Sequence, residues 1–205
     1  MAVLLDLLAP PLCWSCRSHA ARGDPLCRAC RRSLRFLPAA PVALRGLETW
    51  APVAYDGSAR DLVKALKFRG AAGVAGAMAA LIVANAPAGL LAGELVPVPL
   101  HPARRRARAF NQSALVAAAI STRIGLPVAD CLIRTGSRRT QVGRARAERL
   151  TGAGTIQAAG SPPPAALLVD DVVTTGATLA ACAAALRAAG ARQVGAIAFA
   201  RTAGR

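Results

Sequence analysis

Apolar runs and helical periodicities alternate along residues 51–205, and this alternation is typical of an α/β domain. We predict strands at 51–55, near 127–132, and at 95–99, 166–169 and 193–200. We predict helices at 61–68, 71–84, 111–124 and 178–189. Strand–helix–strand alternation at these lengths favours a parallel sheet flanked by helices.

The pattern changes at both ends of a short proline-containing stretch. Residues 1–35 are rich in cysteine and arginine and predict a small separate head. Residues 36–50 contain Pro38 and Pro41 and predict a linker. Residues 134–155 are polar, basic and weakly periodic, which is typical of a mobile loop. The α/β domain is therefore expected to occupy residues 51–205.

Composition limits the kind of protein this chain can be. Of its 205 residues, 54% are hydrophobic, enough for a real core, and 3% are aromatic, which disfavours a base-stacking platform. The first residues lack a basic region and contain Asp6, so no secretory signal is expected. Residues 71–93 carry no charge but consist mostly of Ala and Gly, which favours a buried helix over membrane insertion. We expect a cytoplasmic protein.

Positive charge is concentrated in one part of the chain. The formal net charge is +16, and residues 101–150 hold eleven arginines against Asp130 and Glu148. Such a concentration attracts phosphate groups, either of small ligands or of nucleic acid. A compositional bias towards arginine and alanine is the alternative explanation.

The most informative segment runs from Leu167 to Thr178, with the sequence LLVDDVVTTGAT. A buried strand ends in Asp170 and Asp171, at the edge where open α/β sheets bind ligands. Gly176 allows the backbone to approach a ligand, and the following helix N-terminus attracts anions. Carboxylates accept hydrogen bonds from sugar hydroxyls, so the segment predicts a site for a sugar phosphate.

A simpler explanation of this segment is a helix capped by Thr174 or Thr175. That explanation does not account for two acids at the end of a buried strand, where unpaired charge is costly. A Walker phosphate loop is excluded because its glycine–lysine pattern does not occur.

Basic residues follow the strand that ends at His101. Arg104 to Arg108 could seat a second anion such as pyrophosphate, or could form a solvated turn. Further basic residues lie on the predicted mobile loop, which could close over an anion or contact a nucleic-acid backbone. His101 is as consistent with a structural turn residue as with a proton donor.

Four cysteines near the N-terminus form two CxxC pairs, Cys13 with Cys16 and Cys27 with Cys30. Four thiolates at this spacing predict a structural Zn²⁺ site with no open coordination position, and a head this small needs such a metal to fold. Disulfides or redox chemistry are the weaker alternative in the cytosol. Cys131 and Cys182 lie in apolar contexts and are expected to be packing residues.

These motifs together resemble the ComF family, competence-associated proteins with a type I phosphoribosyltransferase fold and an N-terminal zinc finger. The resemblance rests on the CxxC pairs, Tyr55-x-Gly57, Leu66-Lys67-Phe68, Pro97 to His101, Arg108-x-Phe110-Asn111-Gln112, Gln141 with Arg149, and the loop after Asp170. It implies that phosphoribosyl pyrophosphate (PRPP) binds with Mg²⁺, its ribose hydroxyls held by Asp170 and Asp171 at the catalytic centre. The residues implied to bind the rest of PRPP are Val172, Val173, Thr174, Thr175, Gly176, Ala177 and Thr178. Those implied to bind pyrophosphate are Lys67, His101, Arg104, Arg108, Gln141 and Arg149.

Two functions follow from this resemblance. One is an enzyme that transfers a phosphoribosyl group to an acceptor, and no residue of the sequence indicates what that acceptor is. The other is a non-catalytic factor that binds PRPP and single-stranded DNA. Natural transformation and contacts with the competence machinery are implied by the family alone.

Overall fold

The computed structural model describes residues 11–69, 72–100, 110–135 and 155–202. Five helices lie in these ranges: α1 Arg28–Arg32, α2 Gly57–Arg69, α3 Ala72–Asn85, α4 Gln112–Ile124 and α5 Ala177–Ala188. Eight strands accompany them: β1 Val42–Leu44, β2 Leu47–Trp50, β3 Val53–Ala54, β4 Glu94–Pro97, β5 Leu132–Arg134, β6 Ile156–Ala158, β7 Ala165–Val173 and β8 Gln193–Arg201.

The main sheet is mostly parallel, as the sequence predicts. Its strand order is β1-β2-β8-β7-β4, and β3 also pairs with β8. The β2, β3 and β7 pairings with β8 and the β4 pairing with β7 are parallel, and the β1–β2 hairpin is antiparallel. Strands β5 and β6 form a separate antiparallel pair. The α/β class, with a parallel sheet between helices, is therefore confirmed.

Helices cover both faces of the sheet because its central strands are apolar on both faces. Leu167 and Val169 of β7 belong to a core formed with α2, α3 and α4. Ala166 and Leu168 belong to a second core, formed with α5. Successive side chains of a strand point to opposite faces, so a continuous apolar run supplies both cores.

The prediction that residues 36–50 form a linker is wrong for residues 42–50. Residues 42–50 form the β1–β2 hairpin, and β2 pairs with β8 in the sheet. Leu47 and Trp50 are buried in it. The hairpin is short and flanked by prolines, so its apolar positions give little periodicity, and pairing with β8 supplies the missing stabilisation.

Two other differences concern strand boundaries. Strand β7 continues four residues beyond its predicted end at Val169, because β8 keeps pairing with it as far as Val173. Strand β5 begins at Leu132, where the strand predicted near 127–132 was expected to end, and within that predicted range Val128 forms one parallel bridge with Leu95. Most of the predicted mobile loop, residues 136–154, lies outside the described residues.

The helices begin and end close to their predicted positions. Asn111 caps α4, and Gly125 ends it in the left-handed conformation. Helix α2 begins at Gly57, four residues before its predicted start, and α3 spans Ala72–Asn85. In the described ranges we find no helix with the length and apolar character required to cross a lipid bilayer.

The cysteine-rich head packs directly on the α/β domain. Cys13, Leu26 and Leu34 lie in the same buried cluster as the helices α2 to α4. Residue Arg35 also forms an ion pair with Asp56, just before α2. The head and the domain therefore share one core.

Candidate functional site

The candidate site lies where β7 extends past its neighbour β4. The β4 pairing with β7 ends at Val169, whose carbonyl accepts a further hydrogen bond from Val98 N at 3.0 Å. Beyond that residue β7 pairs with β8 alone. Asp170 and Asp171 consequently stand at the open carboxyl edge of the sheet, the position where open α/β sheets bind ligands.

Asp170 is held by the first turn of α4. Its Oδ1 accepts hydrogen bonds from Ser113 Oγ and from Asp171 N, both at 2.9 Å. Asn111 fixes this end of α4, since its side chain accepts from Ser113 N and donates to the Val98 carbonyl. The Asn111 side chain thus connects the end of β4 to the residue that orients Asp170.

The electrostatic surroundings raise the pKa of Asp170 to about 7. Desolvation is the largest cause, followed by the negative charge of Asp171. Hydrogen bonds from Asp171 N and Ser113 act in the opposite direction, because they stabilise the charged carboxylate. Asp170 therefore changes its charge near neutral pH, as is common for carboxyl groups in functional sites.

Asp171 has a different partner. Its side chain is 6% exposed, and its Oδ2 lies 2.8 Å from Nζ of Lys67, near the end of α2. No described residue forms a hydrogen bond of good geometry with this Oδ2, so the lysine acts as a charge partner. Lys67, predicted to bind an anion, is thus brought together with the acidic pair.

The loop after the acids turns sharply into α5. Gly176 is buried at φ +74° and is the N-cap of α5, where no side chain makes a capping hydrogen bond. Gly176 therefore takes the N-cap position that Thr174 or Thr175 was expected to hold, while Thr175 Oγ1 accepts a long hydrogen bond of 3.5 Å from Ala177 N, and both threonines are exposed. Because Gly176 has no side chain with which to cap α5, the other backbone N–H groups of the first turn are available to an anion.

The side chains of the two valines in the predicted ligand-binding segment pack against the protein core. Val173 is buried in the core beside α5, and Val172 is partly buried against the other core. Only their backbone groups are suited to ligand contact. Ala177 is exposed and Thr178 is partly buried in the first turn of α5.

The β1–β2 hairpin also reaches this loop, which the sequence interpretation missed. A Cβ placed on Gly176 would lie 2.9 Å from Leu44 Cβ, and Arg45 Nε donates a 3.3 Å hydrogen bond to the Thr175 carbonyl. The signal in the sequence was weak: Gly46 lies between two short apolar segments, but Arg45 is not the Asn, Asp or Gly that usually precedes glycine in a tight hairpin. Ser113 was also missed, although it directly follows the Phe-Asn-Gln motif.

Several predicted anion-binding residues fall outside the described ranges. These are His101, Arg104, Arg108, Gln141 and Arg149. Gln112, which follows the first basic segment, is buried, and its Oε1 has no hydrogen-bond partner among the described residues.

The four N-terminal cysteines converge on one point. Sγ atoms of Cys13, Cys16, Cys27 and Cys30 all lie within 4.8 Å of one another, and those of Cys16 and Cys27 are 3.6 Å apart. A tetrahedron with Zn–S bonds of about 2.3 Å has sulfur–sulfur edges of about 3.8 Å. This donor set therefore fits a zinc ion, and all six cysteines of the chain carry free thiols.

The local surroundings shift the pKa values of these thiols in different directions. Cys27 caps α1 and accepts a hydrogen bond from Cys30 N. Hydrogen bonds from the side chain and the backbone of Ser18 lower the pKa of Cys16 to about 6. Zinc binds thiolates rather than thiols, so the surroundings of Cys16 favour its metal-binding form, whereas burial raises the pKa of Cys30 to about 12.

Comparison with known proteins identifies the head. The model of the double zinc ribbon domain family matches residues 4–43. This segment contains four cysteines, enough for one tetrahedral zinc site. The N-terminal head is thus similar to a zinc ribbon, and its four cysteines are positioned to bind zinc.

Comparison of the whole chain gives less information. No curated protein matches the sequence at a significant level. One similar solved structure is the allosteric regulatory enzyme of purine biosynthesis, with 21% sequence identity and a TM-score of 0.38. The aligned part covers 60% of this chain and 24% of that enzyme's chain, so the match spans about a quarter of the enzyme.

The zinc ribbon is joined to the same helix that carries Lys67. Ser15, between the first two ligands, donates a 2.8 Å hydrogen bond to Asp61 Oδ2 in α2. Ser58 Oγ, also in α2, lies 3.1 Å from Ser33 Oγ, just after α1. Helix α2 is therefore fixed near its first turn by the ribbon and near its last turn by Asp171.

Proposed function

We propose that this protein binds PRPP together with Mg²⁺ and transfers the phosphoribosyl group to an acceptor. The observation that carries the proposal is the succession of Asp170, Asp171 and the Gly176 turn, placed at the open edge of the sheet and before an uncapped helix. This arrangement offers hydroxyl acceptors and phosphate donors on one short segment.

The acidic pair fits a ribose diol better than it fits an anion. Carboxylates accept hydrogen bonds from the 2′- and 3′-hydroxyls, and both acids follow one another on β7. In the ligand-free state Lys67 balances the charge of Asp171. A bound diol would share this carboxylate with the lysine, or release the lysine towards a ligand phosphate.

The Gly176 turn fits the 5′-phosphate. Gly176 adopts the left-handed φ of +74° readily, and its missing Cβ leaves the space that Leu44 of the hairpin fills, so the loop can make this tight turn. Backbone N–H groups of Thr175 to Thr178 and the dipole of α5 favour a negative charge here. The exposed hydroxyls of Thr174 and Thr175 add further donors.

Transfer would proceed at the anomeric carbon of the ribose. The bond from this carbon to pyrophosphate breaks, a new bond forms to the acceptor atom, and that atom loses its proton. Positioning of the sugar and stabilisation of the leaving charge supply the catalysis. We assign the pyrophosphate to His101, Arg104, Arg108, Gln141 and Arg149, and Mg²⁺ would arrive with PRPP and neutralise part of its charge.

Calorimetric titration with Mg-PRPP tests this proposal. The double variant Asp170→Asn, Asp171→Asn should lose detectable PRPP binding while keeping its circular dichroism spectrum, because amides are weaker acceptors than carboxylates. Asp130→Asn, a change at an exposed position, serves as the control and should bind as the wild type does. Unchanged affinity in the double variant would falsify the assignment of the sugar site.

A second candidate function is a non-catalytic PRPP- and single-stranded-DNA-binding factor, acting in the cytoplasm with the competence machinery. The net charge of +16 and the exposed arginines Arg17, Arg28 and Arg32 of the zinc ribbon favour nucleic-acid contact. Filter binding of single-stranded DNA should then weaken steeply as salt increases. Pyrophosphate release from Mg-PRPP with a panel of nucleobases separates the two functions, since a binding factor would release none.

A further inference from the structure

The tip of the β1–β2 hairpin rests on the loop proposed to hold the 5′-phosphate. Leu44 lies so close to Gly176 that any side chain at Gly176 would collide with it. Next to it, Arg45 Nε donates a hydrogen bond to the Thr175 carbonyl. Two consecutive residues of the hairpin thus contact two consecutive residues of the loop.

The backbone of the tip is unusual for an arginine. Arg45 has φ +51° and Gly46 has φ +75°, so both central residues of the turn are left-handed. Such turns favour Asn, Asp or Gly at the first central position, and an arginine there adopts a sparsely populated conformation. The requirements of the turn therefore do not explain the arginine.

The guanidinium of Arg45 has more N–H donors than its hydrogen bond to Thr175 uses. The group carries five N–H bonds in a planar fork, and the hydrogen bond to Thr175 uses the one on Nε. Arg45 is exposed, and no described carboxylate forms an ion pair with it. Its two terminal nitrogens therefore remain beside the loop without an anionic partner in the described part of the chain.

We propose that Arg45 is a ligand of the 5′-phosphate of the bound sugar. The inference rests on the proposed function and adds to it a residue from outside the predicted α/β domain. The contact with Thr175 directs the guanidinium to the N-terminal end of α5, whereas the segments assigned to pyrophosphate follow β4 and β5. Arg45 consequently selects for a phosphorylated ribose, whatever group the anomeric carbon carries.

Calorimetry with three ligands tests the assignment. Two variants suit the left-handed turn and remove the guanidinium, namely Arg45→Gly and Arg45→Asn. Each should weaken the binding of ribose 5-phosphate and of Mg-PRPP by the same factor, about tenfold or more for the loss of a charge-assisted hydrogen bond. Binding of inorganic pyrophosphate should stay unchanged. Arg192→Ala, at an exposed position before β8, should behave as the wild type.

The outcomes separate this inference from the proposed function. If both Arg45 variants bind ribose 5-phosphate with wild-type affinity and also bind Mg-PRPP, then Arg45 is not a ligand of the 5′-phosphate. The proposed function would remain intact in that case. The assignment of Arg45 is also wrong if the variants bind Mg-PRPP and pyrophosphate more weakly but bind ribose 5-phosphate with unchanged affinity. If the wild type binds neither ribose 5-phosphate nor Mg-PRPP, both the proposed function and this assignment are wrong.

Discussion

Lys67 and Asp171 form an ion pair of 2.8 Å that joins the last turns of α2 to the end of β7. The neighbouring Asp170 has no such cation and is instead hydrogen-bonded to Ser113. Two adjacent carboxylates in one site therefore differ in electrostatic environment, one being balanced by a lysine and the other held mainly by neutral donors.

Replacing Lys67 by Met should destabilise the protein. The change leaves the buried carboxylate of Asp171 without its counter-charge. We expect the free energy of unfolding in urea to fall by about 2–3 kcal/mol, less than for a fully buried pair because Lys67 is 23% exposed. Lys64→Met, an exposed position of the same helix, should change it by no more than about 0.5 kcal/mol.

Adding Asp171→Asn to Lys67→Met should recover part of this loss, since the unpaired charge is then removed. A double variant as unstable as the sum of the two single variants would show that the pair makes no specific contribution.

Gly176→Ala should destabilise the protein more than an otherwise similar glycine substitution. The new Cβ must occupy a left-handed backbone conformation and also meet Leu44 Cβ at 2.9 Å. Gly125→Ala provides the matched control, because φ is +73° there and nothing lies within 4 Å of the new Cβ. We expect about 1 kcal/mol for Gly125→Ala and about 1–2 kcal/mol more for Gly176→Ala in urea unfolding. Equal losses would show that the hairpin moves aside without cost.

The pKa of Asp170 predicts how stability depends on pH. Its value of about 7 lies above the ordinary 3.8, so between these limits the folded state keeps a proton that the unfolded state has released. Stability from this group therefore falls as pH rises from about 4 to about 7, by up to about 1.4 kcal/mol per pH unit. The difference in unfolding free energy between wild type and Asp170→Asn, measured across this range, should show that slope.

Ser113→Ala should extend this pH dependence upwards. The Ser113 hydroxyl stabilises the charged carboxylate of Asp170, and its removal raises the pKa of Asp170 further. The decline in stability would then continue to a higher pH than in the wild type. Ser121→Ala, on the same helix, is the control, and an identical pH profile for both variants would contradict the proposed role of Ser113.

Zinc removal should weaken the whole protein rather than the head alone. Cys13 and Leu26 share one core with Leu62 of α2, so the ribbon and the domain should unfold in a single transition. Metal analysis should find about one zinc per chain, and chelation should lower the melting temperature by at least about 10 °C. Cys131→Ala, at a buried cysteine outside the cluster, should retain the zinc. Two separate melting transitions would contradict the shared core.

Part of the fold and of the site could be predicted from local sequence. The apolar run of β7, the glycine ending α4 and the two CxxC pairs each carry their signal within a few neighbouring residues. Periodicity and residue type decide such features, because they depend on backbone preference and ligand chemistry. The ribbon's cysteines and the acid–glycine order of the loop were identified in this way.

Other features depend on partners far apart in the chain. Asp170 contacts Ser113 across 57 positions, and Arg45 contacts Thr175 across 130. Apart from Gly46, the residues near Arg45 do not distinguish a linker from a strand pair, because the stabilisation of β2 comes from β8. Long-range packing therefore decided which side chains surround the loop.

The sequence by itself determined the α/β class, the four-cysteine zinc site and the segment that bears the acids, since each follows from local pattern and chemistry. The tertiary structure alone decided that Lys67 balances Asp171 and that the hairpin tip covers the loop. Burial sets these contacts: a charge removed from water requires a partner, and only the folded chain shows which partner is near enough.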